Sequence, residues 1–96
     1  MPIDSISRVD NIIWRRIGDD IVVISDDGVA THVLNKTAAF IWELCDGKNG
    51  IDEIVASLLE KYEVSEEEVK ADVREIIDKL VNLNILQLNG RLLEID

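Results

Sequence analysis

Acid–base, nucleophilic or metal chemistry in this 96-residue chain would have to come from one histidine, one cysteine and 20 acidic side chains. His32 and Cys45 lie in the apolar runs THVL and WELC, and no second His or Cys gives either a metal-ligand spacing. His32 reads as a strand residue and Cys45 as a buried structural thiol. The carboxylates fall mostly at helix positions that face solvent. Gly18, Gly28, Gly47, Gly50 and Gly90 are scattered over turns and helix ends instead of forming a phosphate-binding loop. The pattern predicts no catalytic residue, no metal site and no cofactor. It predicts a protein that binds.

Binding needs an open edge or an unpaired apolar face, and two stretches offer them. Val29, Ala30, Thr31, His32, Val33 and Leu34 form a strand without the Lys, Pro or acidic residues that discourage edge pairing, whereas the strand at 9–17 carries Arg15 and Arg16. In the helix starting after Ser65, Val69, Val73, Ile76, Leu80 and Leu83 make a central stripe. At about 100° per residue, Ile77 and Val81 widen it on one flank, rimmed by Lys70 and Arg74. That flank could wall a groove. It could equally pack on the strands, and the strand at 29–34 could be covered by the C-terminal hairpin.

The elements that would position these stretches can be taken in order. Residues 1–8 read as a polar tail and 9–96 as a single domain. Residues 9–17, 21–25 and 29–34, separated by Gly18-Asp19-Asp20 and Asp26-Asp27-Gly28, read as a three-stranded antiparallel meander. The third strand leads into Asn35, an N-cap for a helix in which Ala38, Phe40, Ile41, Trp42, Leu44 and Cys45 spread over more than half the circumference. Such a helix needs cover on two sides, and Gly47 can close it. Ile51, Ile54, Val55, Leu58, Leu59 and Tyr62 follow as a second amphipathic helix. Ser65 and Glu68 are spaced as a capping box for a third, which ends near Leu83 with Asn84 as its left-handed stop. Ile85–Leu88 and Arg91–Ile95 flank Asn89-Gly90, a hairpin signal. The expected fold class is α+β, winged helix-turn-helix-like: a three-stranded N-terminal sheet, three helices and a C-terminal β-hairpin.

Composition narrows the partners. With 47% apolar residues the chain is globular, and its formal net charge of -10 opposes binding to phosphates or anionic membranes. In a winged helix the recognition helix would bring Glu66, Glu67 and Glu68 against DNA, which is repulsive. No segment resembles a signal peptide or a membrane span, and the lone cysteine suits a reducing compartment, so a cytoplasmic location is expected.

The run His32-Val33-Leu34-Asn35-Lys36-Thr37-Ala38-Ala39 carries a resemblance. With Ile41-Trp42-Glu43-Leu44, Asp46-Gly47, Ile54, Glu67, Val69, Asp72, Val73 and Leu80, it is similar to the PqqD family over roughly residues 9–88. These are leader-peptide chaperones of pyrroloquinoline quinone (PQQ) biosynthesis and related natural product pathways, also called RiPP recognition elements. The resemblance implies a non-catalytic protein that binds the leader of a precursor peptide by β-strand addition and presents it to a modifying enzyme, often a radical S-adenosylmethionine (SAM) enzyme. It places the peptide against Val29, Ala30, Thr31, His32, Val33 and Leu34, with Lys70, Val73, Arg74, Ile77 and Val81 as the opposite wall. Lys70 and Arg74 would then pair with leader carboxylates. Asn84 and Gly50 depart mildly from the family pattern, at positions where relatives carry glycine and a hydroxyl cap. A winged-helix transcriptional regulator and a structural subunit of a larger enzyme are the alternatives, and an open edge also permits a homodimer.

Overall fold

The computed structural model describes residues 3–25 and 28–90. The elements run β1 (Ile3–Arg8), β2 (Ile13–Ile17), β3 (Asp20–Ile24), β4 (Thr31–Leu34), α1 (Lys36–Leu44), α2 (Ile51–Lys61), α3 (Glu66–Asn82) and β5 (Leu86–Gly90). Strands β2, β3 and β4 form an antiparallel sheet in that order, and β1 pairs antiparallel with β5 in a second sheet of two strands. The chain is α+β, as its pattern predicts.

Opposed residues in an antiparallel sheet share a face, so the register shows how β2–β4 divide their side chains. Trp14, Val23 and His32 form one row of the inner face, and Arg16, Ile21 and Leu34 the next. Ile21, Val23 and Leu34 on this face are buried. The outer face carries Ile13, Ile24 and Thr31, then Arg15, Val22 and Val33. Its Ile13, Ile17 and Val33 are 64%, 60% and 66% exposed. Gly18 makes the tight β2–β3 connection with φ +63°, a conformation that costs a residue with a Cβ.

The Asn35 side chain accepts the Ala38 N–H at 3.0 Å and starts α1 directly after β4. Ala38, Ala39, Ile41 and Trp42 of α1 are buried, and Phe40 and Leu44 are half-buried. The Lys61 ammonium lies 4.4 Å from the Phe40 ring centre and shields it. Gly50 begins α2, its N–H bonded to the Glu53 carboxylate at 2.9 Å. Ser65 begins α3 by accepting the Glu68 N–H at 3.2 Å. Asn84 closes α3 with φ +64°. No helix among the described residues is long and apolar enough to cross a membrane.

The chain ends differ from the sequence expectation. Residues 1–8 read as a tail because their alternation is weak, yet Ile3–Arg8 is a strand. Its Ile6 is fully buried. Arg8 donates to the carbonyls of Trp42 at 2.9 Å and Glu43 at 3.3 Å, and its guanidinium lies 5.2 Å from the Trp14 ring centre. The charge therefore sits at the negative end of α1. Asn89-Gly90 reads as a hairpin turn, but both residues lie within β5, where Asn89 pairs with Ser5 and Gly90 with Ile3. The Asn89 amide donates to Ser5 Oγ at 3.2 Å and Ser7 Oγ at 3.0 Å. These cross-strand bonds occupy the side chain that a turn would have used. The expected return strand, Arg91–Ile95, lies outside the described residues. The first meander strand starts at Ile13, not at residue 9, because Asn11 takes φ +64° and interrupts the extended run.

Candidate functional site

Burial removes the single thiol from consideration. Cys45 has no exposed surface, and its thiol pKa is pushed up to about 12, mainly by burial, with Asp46 adding and Arg8 opposing. Such a thiol is not a nucleophile near neutral pH. Among the described residues no three His, Cys, Asp or Glu side chains are placed to hold a metal ion.

What the fold does build is a groove. β4 ends its sheet, so one edge has no strand partner among the described residues; the C-terminal strand that could have covered it pairs with β1 instead. Beside that edge is a cavity of about 360 Å³, lined by Thr31, His32, Val33, Leu34 and Asn35 on one side, Ala38 at its base, and Ile76, Lys79, Leu80 and Leu83 of α3 on the other. Asn35 joins the strand wall to the base, because it follows β4 directly and caps α1.

The predicted site residues divide accordingly. Thr31, His32, Val33 and Leu34 line the groove. Val29 is exposed just before the strand, and Ala30 is held in the β3–β4 loop by bonds to Ser25. On α3 the groove is lined by the central stripe and by Lys79 of the other flank. Val73 and Ile77 are core residues, and Lys70, Arg74 and Val81 do not line the groove. Lys70 forms an ion pair with Glu66 at 3.4 Å on the exposed side. The groove is lined instead by Ile76, Lys79, Leu80 and Leu83 of α3, with Ala38 of α1 and its N-cap Asn35. Ile76, Leu80 and Leu83 are visible in the sequence as part of the central stripe. Which polar flank turns toward β4 is not, because α2 and β5 decide how α3 is rotated.

Comparison with known proteins follows this geometry. The family model for coenzyme PQQ synthesis protein D, PqqD, matches residues 20–86, from the start of β3 to the start of β5. The chain is similar to a PqqA binding protein of Methylococcus capsulatus (strain Bath), with 36% identity over 69 residues, 72% of this chain and 70% of that protein. In fold it is similar to TbiB1 in complex with the TbiA(beta) leader peptide, with a TM-score of 0.80 at 22% identity over 88% of this chain and 99% of that one. The family match covers the groove's strand, its cap and its helical wall, and on that ground this chain belongs to the PqqD family.

Proposed function

We propose that the chain is a non-catalytic peptide-binding protein that takes the leader of a ribosomally made precursor as an added strand beside β4 and presents it to a modifying enzyme, a radical SAM enzyme, in the cytoplasm. The observation that carries this reading is the open β4 edge facing α3 across a groove of about 360 Å³. Strand addition supplies main-chain hydrogen bonds, and alternate side chains supply specificity. Leader residues in the row of His32 or Leu34 would drop toward Ile76, Leu80 and Leu83. Those beside Thr31 or Val33 would extend the outer sheet face, where an enzyme could reach them. Lys79 lines the groove, which supports its pairing with a leader carboxylate in place of Lys70 and Arg74. The relative from Methylococcus is named for binding PqqA, and the structural neighbour is a leader-peptide complex; both support the reading.

The test is an amide-shift titration of labelled protein with a synthetic leader taken from the short reading frame nearest the gene. Shifts should concentrate on Thr31–Leu34 and Ile76–Leu83. Leu83→Asp should weaken binding at least about tenfold, by burying a charge in an apolar contact, whereas joint Lys70→Gln and Arg74→Gln should leave affinity within about twofold. Shifts confined to other surfaces, or the reverse ranking of these variants, would overturn the assignment.

A further inference from the structure

An antiparallel sheet with one face on the core normally turns polar side chains to solvent on the other. The β2–β3–β4 sheet does not. α1 packs on its inner face, yet the outer face carries Ile13, Ile17, Val22, Ile24 and Val33, interrupted only by Arg15, Asp20 and Thr31. Threonine would meet the preference for strand as well as isoleucine or valine does, so strand formation does not account for the aliphatic side chains. Ile13, Ile17 and Val33 are exposed, and a contiguous apolar patch of this kind marks an interaction surface.

Three features of the face bear on what covers it. Its middle row is Arg15, Val22 and Val33. Arg15 makes no ion pair among the described residues, whereas the next residue, Arg16, is held by Glu43 at 2.7 Å. The face is also small: strands of four or five residues give a footprint of roughly 17 Å by 14 Å, or about 240 Å². A stable interface takes about 800 Å² from each partner. Finally, a strand added beside β4 prolongs the rows of Thr31 and Val33 by one leader side chain each, since opposed residues share a face. The outer face of a loaded chain is therefore partly made of leader.

We propose that this outer face is the docking surface for the modifying enzyme, which covers the aliphatic rows with an apolar surface, sets a carboxylate against Arg15 and touches the leader side chains that lie in the same plane. The assignment rests on the strand-addition reading. A second copy of the chain is a poorer occupant: it would have to hold on this footprint alone, against the repulsion between two chains of formal charge -10. The enzyme gains contacts from the leader as well. It therefore binds a loaded chain more tightly than an empty one, and by linkage it tightens the leader by the same factor.

The experiment titrates the modifying enzyme encoded nearest this chain's gene into fluorescein-labelled wild type, Ile13→Lys, Arg15→Glu, Lys48→Glu and Leu83→Asp, by anisotropy, with and without saturating synthetic leader. Leader affinity is measured separately by calorimetry, and folding by circular dichroism. Leader should tighten enzyme binding to wild type about tenfold. Ile13→Lys places a charge in an apolar contact and Arg15→Glu opposes a carboxylate, so each should weaken binding to the loaded chain at least about tenfold. Both should keep leader affinity within about twofold, because β2 is the strand farthest from the open edge and charge changes at such a distance have small effects. Lys48→Glu, in the α1–α2 loop, makes the same change of net charge as Arg15→Glu and should leave enzyme binding within about twofold. Leu83→Asp should lose the leader and with it the gain in enzyme affinity. If the two face variants bind enzyme as wild type does, or if leader makes no difference to wild type, the docking surface falls and the groove stands. Enzyme that binds neither form of wild type overturns it too. A wild-type dimer in sedimentation velocity that Ile13→Lys abolishes would give the face to a second copy. If wild type takes no leader, the strand-addition reading fails first.

Discussion

Burial turns the single thiol of this chain into a packing group. Cys45 is inaccessible, and its pKa is pushed up to about 12 from 9.0, so thiol reagents should modify it at pH 8 only as fast as the protein opens. Adding urea should accelerate modification in step with unfolding, and rapid labelling of the native protein would contradict this. The raised pKa also fixes the sign of a pH effect. The unfolded chain releases the thiol proton first, so this contribution to stability is complete below about pH 9 and is lost as pH rises toward about 12. Urea melts at pH 8 and pH 10.5 should therefore show a larger loss of stability for wild type than for Cys45→Ala. At this scale much was legible from sequence. Asn35, Ser65 and Asn84 act through bonds or backbone angles within a few residues of themselves, and local types predict such roles. Arg8 was not legible, because its partners on α1 and β2 are brought to it by tertiary structure.

Elements were readable where their partners are near in sequence. The β2–β3–β4 meander follows from short turns between apolar runs, and the three helices follow from their periodicity and caps. The β1–β5 pair joins strands about 80 residues apart, and no local signal reports such a pairing. Asn89-Gly90 gives a contrary one. The Asn89 amide bonds to Ser5 and Ser7 across the pair, so Asn89→Ala should destabilise the protein by about 1–2 kcal/mol. The loss should appear as faster amide exchange in β1 and β5, with β2–β4 little changed. Exchange that rises equally everywhere would mean that the two sheets open as one unit. The flank of α3 that lines the groove was hidden for a related reason. Helical period shows that a stripe exists, whereas the element to which each edge of the stripe turns depends on where α2 and β5 pack.

Over the whole molecule the formal charge of -10 sets the long-range field. Basic peptides are drawn in and acidic ones resisted, and salt screens both effects. For a leader with net positive charge, the association rate measured by stopped flow should fall about tenfold between about 50 mM and 500 mM salt. For an acidic leader it should rise. A rate indifferent to salt for both would mean that the field at the groove is set locally, by Lys79, and not by the molecule.

In the β1–β5 pair, Ile3 stands opposite Gly90. None of the described residues lining the groove comes from either strand. A second protein joined directly ahead of β1 and one joined directly behind β5 would therefore be tethered at neighbouring points. Either gene fusion would hold its enzyme within a linker's reach of a captured leader, turning a bimolecular encounter into an intramolecular one. Order of fusion would be neutral, and linker length the quantity under selection.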